Sequence, residues 1–213
     1  LLKSFLNNKL FEKCIPIVFC DYEILNYYKS IYNYQLNIKK CLSIKNKLEN
    51  NTIYTLISKK IDYIINTGII DPNAGLYSIN SLKEVTNSLK NKSIDGLVTL
   101  PINKINSQSK KFKFPGHTEY LQNIFDVRDT IMIMHSKEMT IGFITSHIPL
   151  RKVKSSINSK HIQSKILTFI SSLETDFNIN NPRIAVLGLN PHCGESGLLG
   201  NEEVKMSLCN GSS

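Results

Sequence analysis

Three histidines in this chain, His117, His147 and His192, follow strand or turn signals and are the residues best placed to do chemistry. Neutral imidazole is the commonest protein ligand for divalent transition metals and the side chain that exchanges protons near neutral pH. His192 lies just past the apolar run 184–189 and the Asn190-Pro191 stop, and it enters a loop holding Gly194, Glu195, Gly197 and Gly200. A buried strand feeding a glycine-permissive loop is how α/β enzymes present polar side chains at the carboxyl edge of a sheet. Glu202 and Glu203 suit the first turn of a following helix. His147 closes a similar β-rich run, 140–145, and Pro149 stops it.

His147 and His192 are the best metal-ligand pair by type and position, although their spacing fixes no geometry. A lone histidine in a turn is more often merely hydrogen-bonded, and a catalytic zinc needs about three protein ligands. His135, in an expected hairpin turn, and His161, on an expected helix, are poor thirds. His117 and Thr118 follow Pro115-Gly116 and offer an imidazole and a hydroxyl side by side, a pair able to hold a carboxylate or hydroxyl of a small substrate. The competing reading is a surface turn in which Thr118 caps a helix beginning near Glu119. Cys193 beside His192 has the chemistry of a thiolate ligand or nucleophile, but a small residue filling a tight loop is the commoner role. There is no Gly-x-Gly-x-x-Gly and no Walker A sequence.

The elements that must position these residues alternate. Residues 15–20 read as a short strand, and Asp21 caps a helix running to about Ile31. Residues 32–72 are Asn- and Lys-rich and yield no periodicity. Ile79, Leu82, Val85 and Leu89 fall at helical spacing, with Ser78 or Asn80 as caps. Residues 94–100 read as a strand closed by Pro101. Residues 130–134 and 140–145 read as an antiparallel hairpin. Residues 150–173 read as a long helical stretch, and 184–189 as the strand before His192. This order indicates an α/β architecture with a mainly parallel sheet and some antiparallel pairing.

At 213 residues, 41% hydrophobic and 20% charged, the chain has the composition of a soluble globular protein with room for a real core. No run approaches the roughly 18 apolar residues of a membrane span, and no secretory signal opens the chain. Five cysteines without a Cys-x-x-Cys pair point to a reducing cytoplasm, away from a disulfide framework or a zinc finger. The net charge of +9 is spread among abundant Asn and Ile, and Lys110-Lys111-Phe112-Lys113 is its nearest approach to a patch. That distribution fits an anionic small molecule and argues against nucleic acid.

Four motifs occur in order: Asp95-Gly96-Leu97-Val98-Thr99-Leu100-Pro101-Ile102-Asn103-Lys104, Pro115-Gly116-His117-Thr118-Glu119, Thr145-Ser146-His147-Ile148-Pro149-Leu150 and Gly188-Leu189-Asn190-Pro191-His192-Cys193-Gly194-Glu195. Together they resemble the 4-hydroxythreonine-4-phosphate dehydrogenase (PdxA) family of vitamin B6 synthesis, over about residues 10–205. The resemblance implies an isocitrate/isopropylmalate dehydrogenase-like fold, with two α/β domains around a cleft, here 1–113 and 114–213. It implies NAD- or NADP-dependent oxidation of 4-phosphooxy-L-threonine to a β-keto acid that decarboxylates to 3-amino-2-oxopropyl phosphate. His117 and Thr118 are then substrate binders, and His147 and His192 ligands of one divalent ion (zinc, cobalt or magnesium). The family pattern adds a cytoplasmic homodimer with the metal site at the subunit interface. A related dehydrogenase of threonate or erythronate phosphate, or an inactive fragment acting as a binding module, is the alternative. Family members open with a Gly-Asp-Pro-type segment that is absent here and carry Ala where Cys193 stands. The family's third metal histidine and phosphate-holding basic residues lie downstream of Ser213, so the chain is expected to be truncated at both ends and, by itself, inactive.

Overall fold

The computed structural model describes residues 1–45, 47–57, 65–108, 112–189, 191–192 and 195–202. It forms two compact units, Leu1–Asp126 and Val127–Ser213. Among the described residues no helix is long and apolar enough to cross a membrane.

The first unit is built on a parallel sheet of β1 (Ile17–Val18), β2 (Ile38–Lys40) and β3 (Ile53–Thr55), in the order β1-β3-β2. Ile17 pairs with Tyr54, and Ile38 with Ile53. β3 is central and buried along its whole length, which is why its sequence is apolar or β-branched without alternation. Ile53 is 0% exposed and packs with Leu2, Phe5, Phe11, Leu25 and Leu36. Helix α1 (Tyr22–Ile31) follows β1 with Asp21 at its N-cap position, as the sequence indicates, although the Asp21 side chain makes no cap bond. The Asp21 backbone N–H instead donates to the Tyr77 hydroxyl.

Helix α2 runs from Pro72 to Lys90, several residues earlier than its apolar periodicity suggests. Ser78 and Asn80 are therefore interior, and the cap is Asp71, whose carboxylate accepts from Asn73 N at 2.8 Å with Pro72 in the first turn. Its buried face carries Ile79, Leu82 and Val85 against Phe112 and Tyr120. Thr86 Oγ1 lies 3.0 Å from the Tyr120 hydroxyl and ties α2 to α4 (His117–Phe125). The short helix α3 (Lys104–Ser107) is capped by Asn103, which accepts from Ile105 N and Asn106 N. It sits so close to α2 that a Cβ on Gly75 would lie 2.1 Å from the Asn106 carbonyl oxygen.

In the second unit β4 (Met132–His135) and β5 (Thr140–Phe143) form the expected hairpin, with His135 opposite Thr140. The long helical stretch is two helices, α5 (Leu150–Ser156) and α6 (Ser159–Thr175). Ile157 leaves helical geometry, and Asn158 restarts the chain by accepting from His161 N at 3.0 Å. Helix α6 packs on the hairpin at Gly142, where a Cβ would lie 3.2 Å from the Phe169 ring. Lys165 of α6 pairs with Asp129 and also donates to Thr130 O, and Ser164 donates to the other Asp129 oxygen.

Two expected strands do not form. Residues 94–100 and 184–189 have no ladder partner among the described residues. Without a neighbour to take its N–H and C=O groups, an apolar run is not a strand. Ile94 and Leu97 still pack on the second core cluster, but Val98 is 91% exposed and Leu187 89%.

Candidate active site

His117 and Thr118 open α4 in the first unit. Gly116 is the N-cap residue, in extended backbone, and no side chain caps this end, so Thr118 is a first-turn residue and not the cap. His117 is partly buried, Thr118 exposed, and burial pushes the His117 pKa below its usual value. A neutral imidazole with one donor and one acceptor nitrogen stands beside a hydroxyl, at a helix end whose dipole favours negative charge. A Cβ on Gly116 would meet Glu119 Oε2 at 3.4 Å and Lys104 Cε at 4.0 Å, so the Lys104 side chain of α3 reaches this turn.

His147 sits in the bend after β5, exposed and with φ of +54°. The start of its loop is anchored by His161, whose Nε2 donates to Ile144 O at 3.2 Å. That bond gives His161 a structural role. His135 is likewise engaged, with Nδ1 2.8 Å from Thr140 Oγ1 and its ring against Phe177.

His192 lies on a tight turn closed by Glu195 N donating to His192 O at 2.9 Å. Across the same turn His192 Nδ1 is 3.0 Å from Glu195 Oε1. The loop then needs left-handed backbone at Gly197 (φ +98°) and Gly200 (φ +131°), where a Cβ would collide with Asn201 and Glu202 side chains. Asn190, Cys193, Gly194 and Glu203 lie outside the described residues, as do Lys110 and Lys111. Of the free cysteines, Cys20 is buried, and burial together with the neighbouring Asp21 charge pushes its thiol up to about 12, so it carries no thiolate chemistry at neutral pH.

An ion pair links the two histidine segments. Lys154 of α5, the helix that follows His147, pairs at 2.7 Å with Glu202 at the far end of the His192 loop. The sequence assigns Glu202 to the first turn of a following helix and gives no role to its pairing with Lys154 or to Glu195. The i, i+3 separation of His192 and Glu195 across a turn was the available signal for the second. Among the described residues no three His, Cys, Asp or Glu side chains group to hold a metal. Two imidazoles, one engaged at Nδ1 by a carboxylate, fit part of a zinc- or cobalt-type ligand set.

Residues 12–207 match the family described as pyridoxal phosphate biosynthetic protein PdxA. The chain is 33% identical over 209 residues to a 4-hydroxythreonine-4-phosphate dehydrogenase from Bacteroides thetaiotaomicron, covering 98% of this chain and 57% of that protein. It is also 33% identical over 193 residues to one from Wigglesworthia glossinidia brevipalpis, covering 89% and 58% respectively. The crystal structure of a 4-hydroxythreonine-4-phosphate dehydrogenase from Burkholderia phymatum superimposes with a TM-score of 0.80 at 26% identity, covering 97% of this chain and 63% of that one. The chain thus spans under two thirds of the length of these relatives, and its α/β fold is theirs.

Proposed function

The chain belongs to the PdxA family, and from that premise we propose that it supplies substrate- and metal-binding parts of an NAD- or NADP-dependent 4-hydroxythreonine-4-phosphate dehydrogenase of pyridoxal 5'-phosphate biosynthesis. The substrate is 4-phosphooxy-L-threonine. Oxidation of its hydroxyl gives a β-keto acid, and loss of carbon dioxide gives 3-amino-2-oxopropyl phosphate. The reading includes an isocitrate/isopropylmalate dehydrogenase-like fold and a cytoplasmic homodimer whose interface carries the metal site.

His147 and His192 are the residues that would hold the divalent ion; what carries this is the family match that spans both motifs, and the Lys154–Glu202 pair, which links the helix after His147 to the end of the His192 loop, is consistent with it. A bound ion of this kind supplies Lewis-acid polarisation of the substrate oxygen, and a nicotinamide dinucleotide supplies the hydride acceptor. His117, kept neutral by burial, and Thr118 bind the substrate's polar groups at the positive end of α4. Two histidines fall short of the roughly three protein ligands of a catalytic zinc site, so the chain alone is expected to stay below about one turnover per second.

The test is NAD(P)+ reduction by the chain fused to the C-terminal portion of the Bacteroides relative, with cobalt or zinc and either 4-phosphooxy-L-threonine or threonate phosphate. Turnover of the first, abolished by His192→Ala, is the expected result. Preference for the second would move the assignment to the sugar-acid alternative. Inactivity with both, while the relative itself turns over, would overturn the proposal.

A further inference from the structure

Glu195 occupies a backbone conformation that its residue type does not favour. Of the non-glycine residues with positive φ, Asn33, Asn51, Asp126, His147, Asn178 and Asn181 are of the types that tolerate it locally, and Lys92 follows the C-cap of α2, where a left-handed residue is the ordinary helix stop. Glu195, at φ +42°, has neither explanation. A side chain held at such a position is a pointer to what that side chain does. Here the carboxylate reaches back across the turn to within 3.0 Å of His192 Nδ1, while the backbone bond from Glu195 N to His192 O fixes the two residues together.

We propose that Glu195 is a positioning residue for His192: its carboxylate accepts the Nδ1–H, fixes the ring's tautomer and rotation, and so makes Nε2 the ligating atom. The inference rests on the reading of His192 as a metal ligand. A neutral imidazole has one N–H and one lone pair, so placing the proton on Nδ1 places the lone pair on Nε2. A carboxylate in this role also raises the basicity of the ligating nitrogen, and losing such a partner typically weakens metal affinity about 10- to 100-fold. Both side chains are substantially exposed, so Glu195 contributes little packing, and its removal should leave the fold intact.

The experiment has two readouts on the 213-residue chain. Ring ¹⁵N chemical shifts of His192 are recorded without metal at about pH 8.5, above the usual histidine range. Cobalt affinity is then measured by calorimetry. The parent chain should show His192 protonated on Nδ1. Glu195→Ala should move the proton to Nε2 and weaken cobalt binding by about 10- to 100-fold. Glu195→Gln, which keeps an acceptor oxygen but ligates metal poorly, should restore both. An Nε2–H tautomer in the parent chain would overturn the proposal, as would unchanged cobalt affinity in Glu195→Ala alongside a loss in His192→Ala. Loss in both Ala and Gln variants would make Glu195 a ligand itself and equally reject the positioning role. If His192→Ala leaves cobalt affinity unchanged, the metal reading has failed and the proposal falls with it.

Discussion

Substituting Gly75 by Ala sets two elementary effects against each other. Gly75 lies in the first turns of α2, where helix propensity favours Ala by about 1 kcal/mol. The structure opposes this, because the new Cβ would lie 2.1 Å from Asn106 O, 2.7 Å from its carbonyl carbon and 2.8 Å from Oδ1. Ordinary contact begins near 3.4 Å, so α3 would have to retreat by about 1.3 Å, and two of the three obstructing atoms are backbone. Overpacking of this kind costs typically 1–3 kcal/mol and occasionally more. The clash is with backbone, which puts the cost toward the upper end of that range, so we expect a net loss of up to about 2 kcal/mol, read as a lower urea midpoint by circular dichroism with an unchanged slope. Because the Lys104 side chain of α3 reaches Gly116, the His117 resonances should shift too. A variant more stable than the parent would show that propensity decides the outcome and that the α2–α3 approach is not as close as described.

Further outcomes follow from the electrostatics. Burial raises the Asp129 carboxyl, but hydrogen bonds from Lys165 and Ser164 outweigh it and leave its pKa below the usual value. Its stabilisation is therefore present above about pH 4 and lost as pH falls through the lowered folded value, so Asp129→Asn should flatten acid unfolding of the second unit. His117 has a depressed pKa in the folded chain, so its NMR midpoint should fall below about 6.5, and its contribution to stability should decline as pH drops through the unfolded value. Iodoacetamide at about pH 8 should label exposed Cys14 and spare Cys20, by mass spectrometry. Gly142→Ala should shift the thermal midpoint only slightly, by the equivalent of no more than about 1 kcal/mol, since the new Cβ meets the Ile131 Cδ1 at 3.0 Å and the Phe169 ring at 3.2 Å, a few tenths of an ångström short of ordinary contact, and glycine's own cost in a strand is relieved.

The parts of the fold legible in the sequence were those with a local signature. Asp21 before an apolar-periodic run marked α1, and the two β-rich runs around 136–139 marked the hairpin. Strands β2 and β3 escaped because three residues are too few to show a period, and their stability comes from parallel pairing, β3 with a neighbour on each side and β2 with β3 alone. Asp71-Pro72 was a readable start signal for α2, masked because its first turns carry few apolar residues. The 184–189 run has strand composition, yet composition cannot supply a ladder partner. At the candidate site the histidine types and loop positions were visible. The Glu195 contact had only its i, i+3 separation from His192 as a signal, and the Lys154–Glu202 tie depends on loop backbone that no spacing rule specifies.

Whether His147 and His192 serve a single ion is tested by cobalt titration of the parent chain, His147→Ala, His192→Ala and the double variant. One ion per chain is expected in the parent. Each single variant should bind at least about tenfold more weakly, and the double variant little more weakly than either, because groups sharing one ligand are not additive. Full stoichiometry and unchanged affinity in either single variant would contradict the claim.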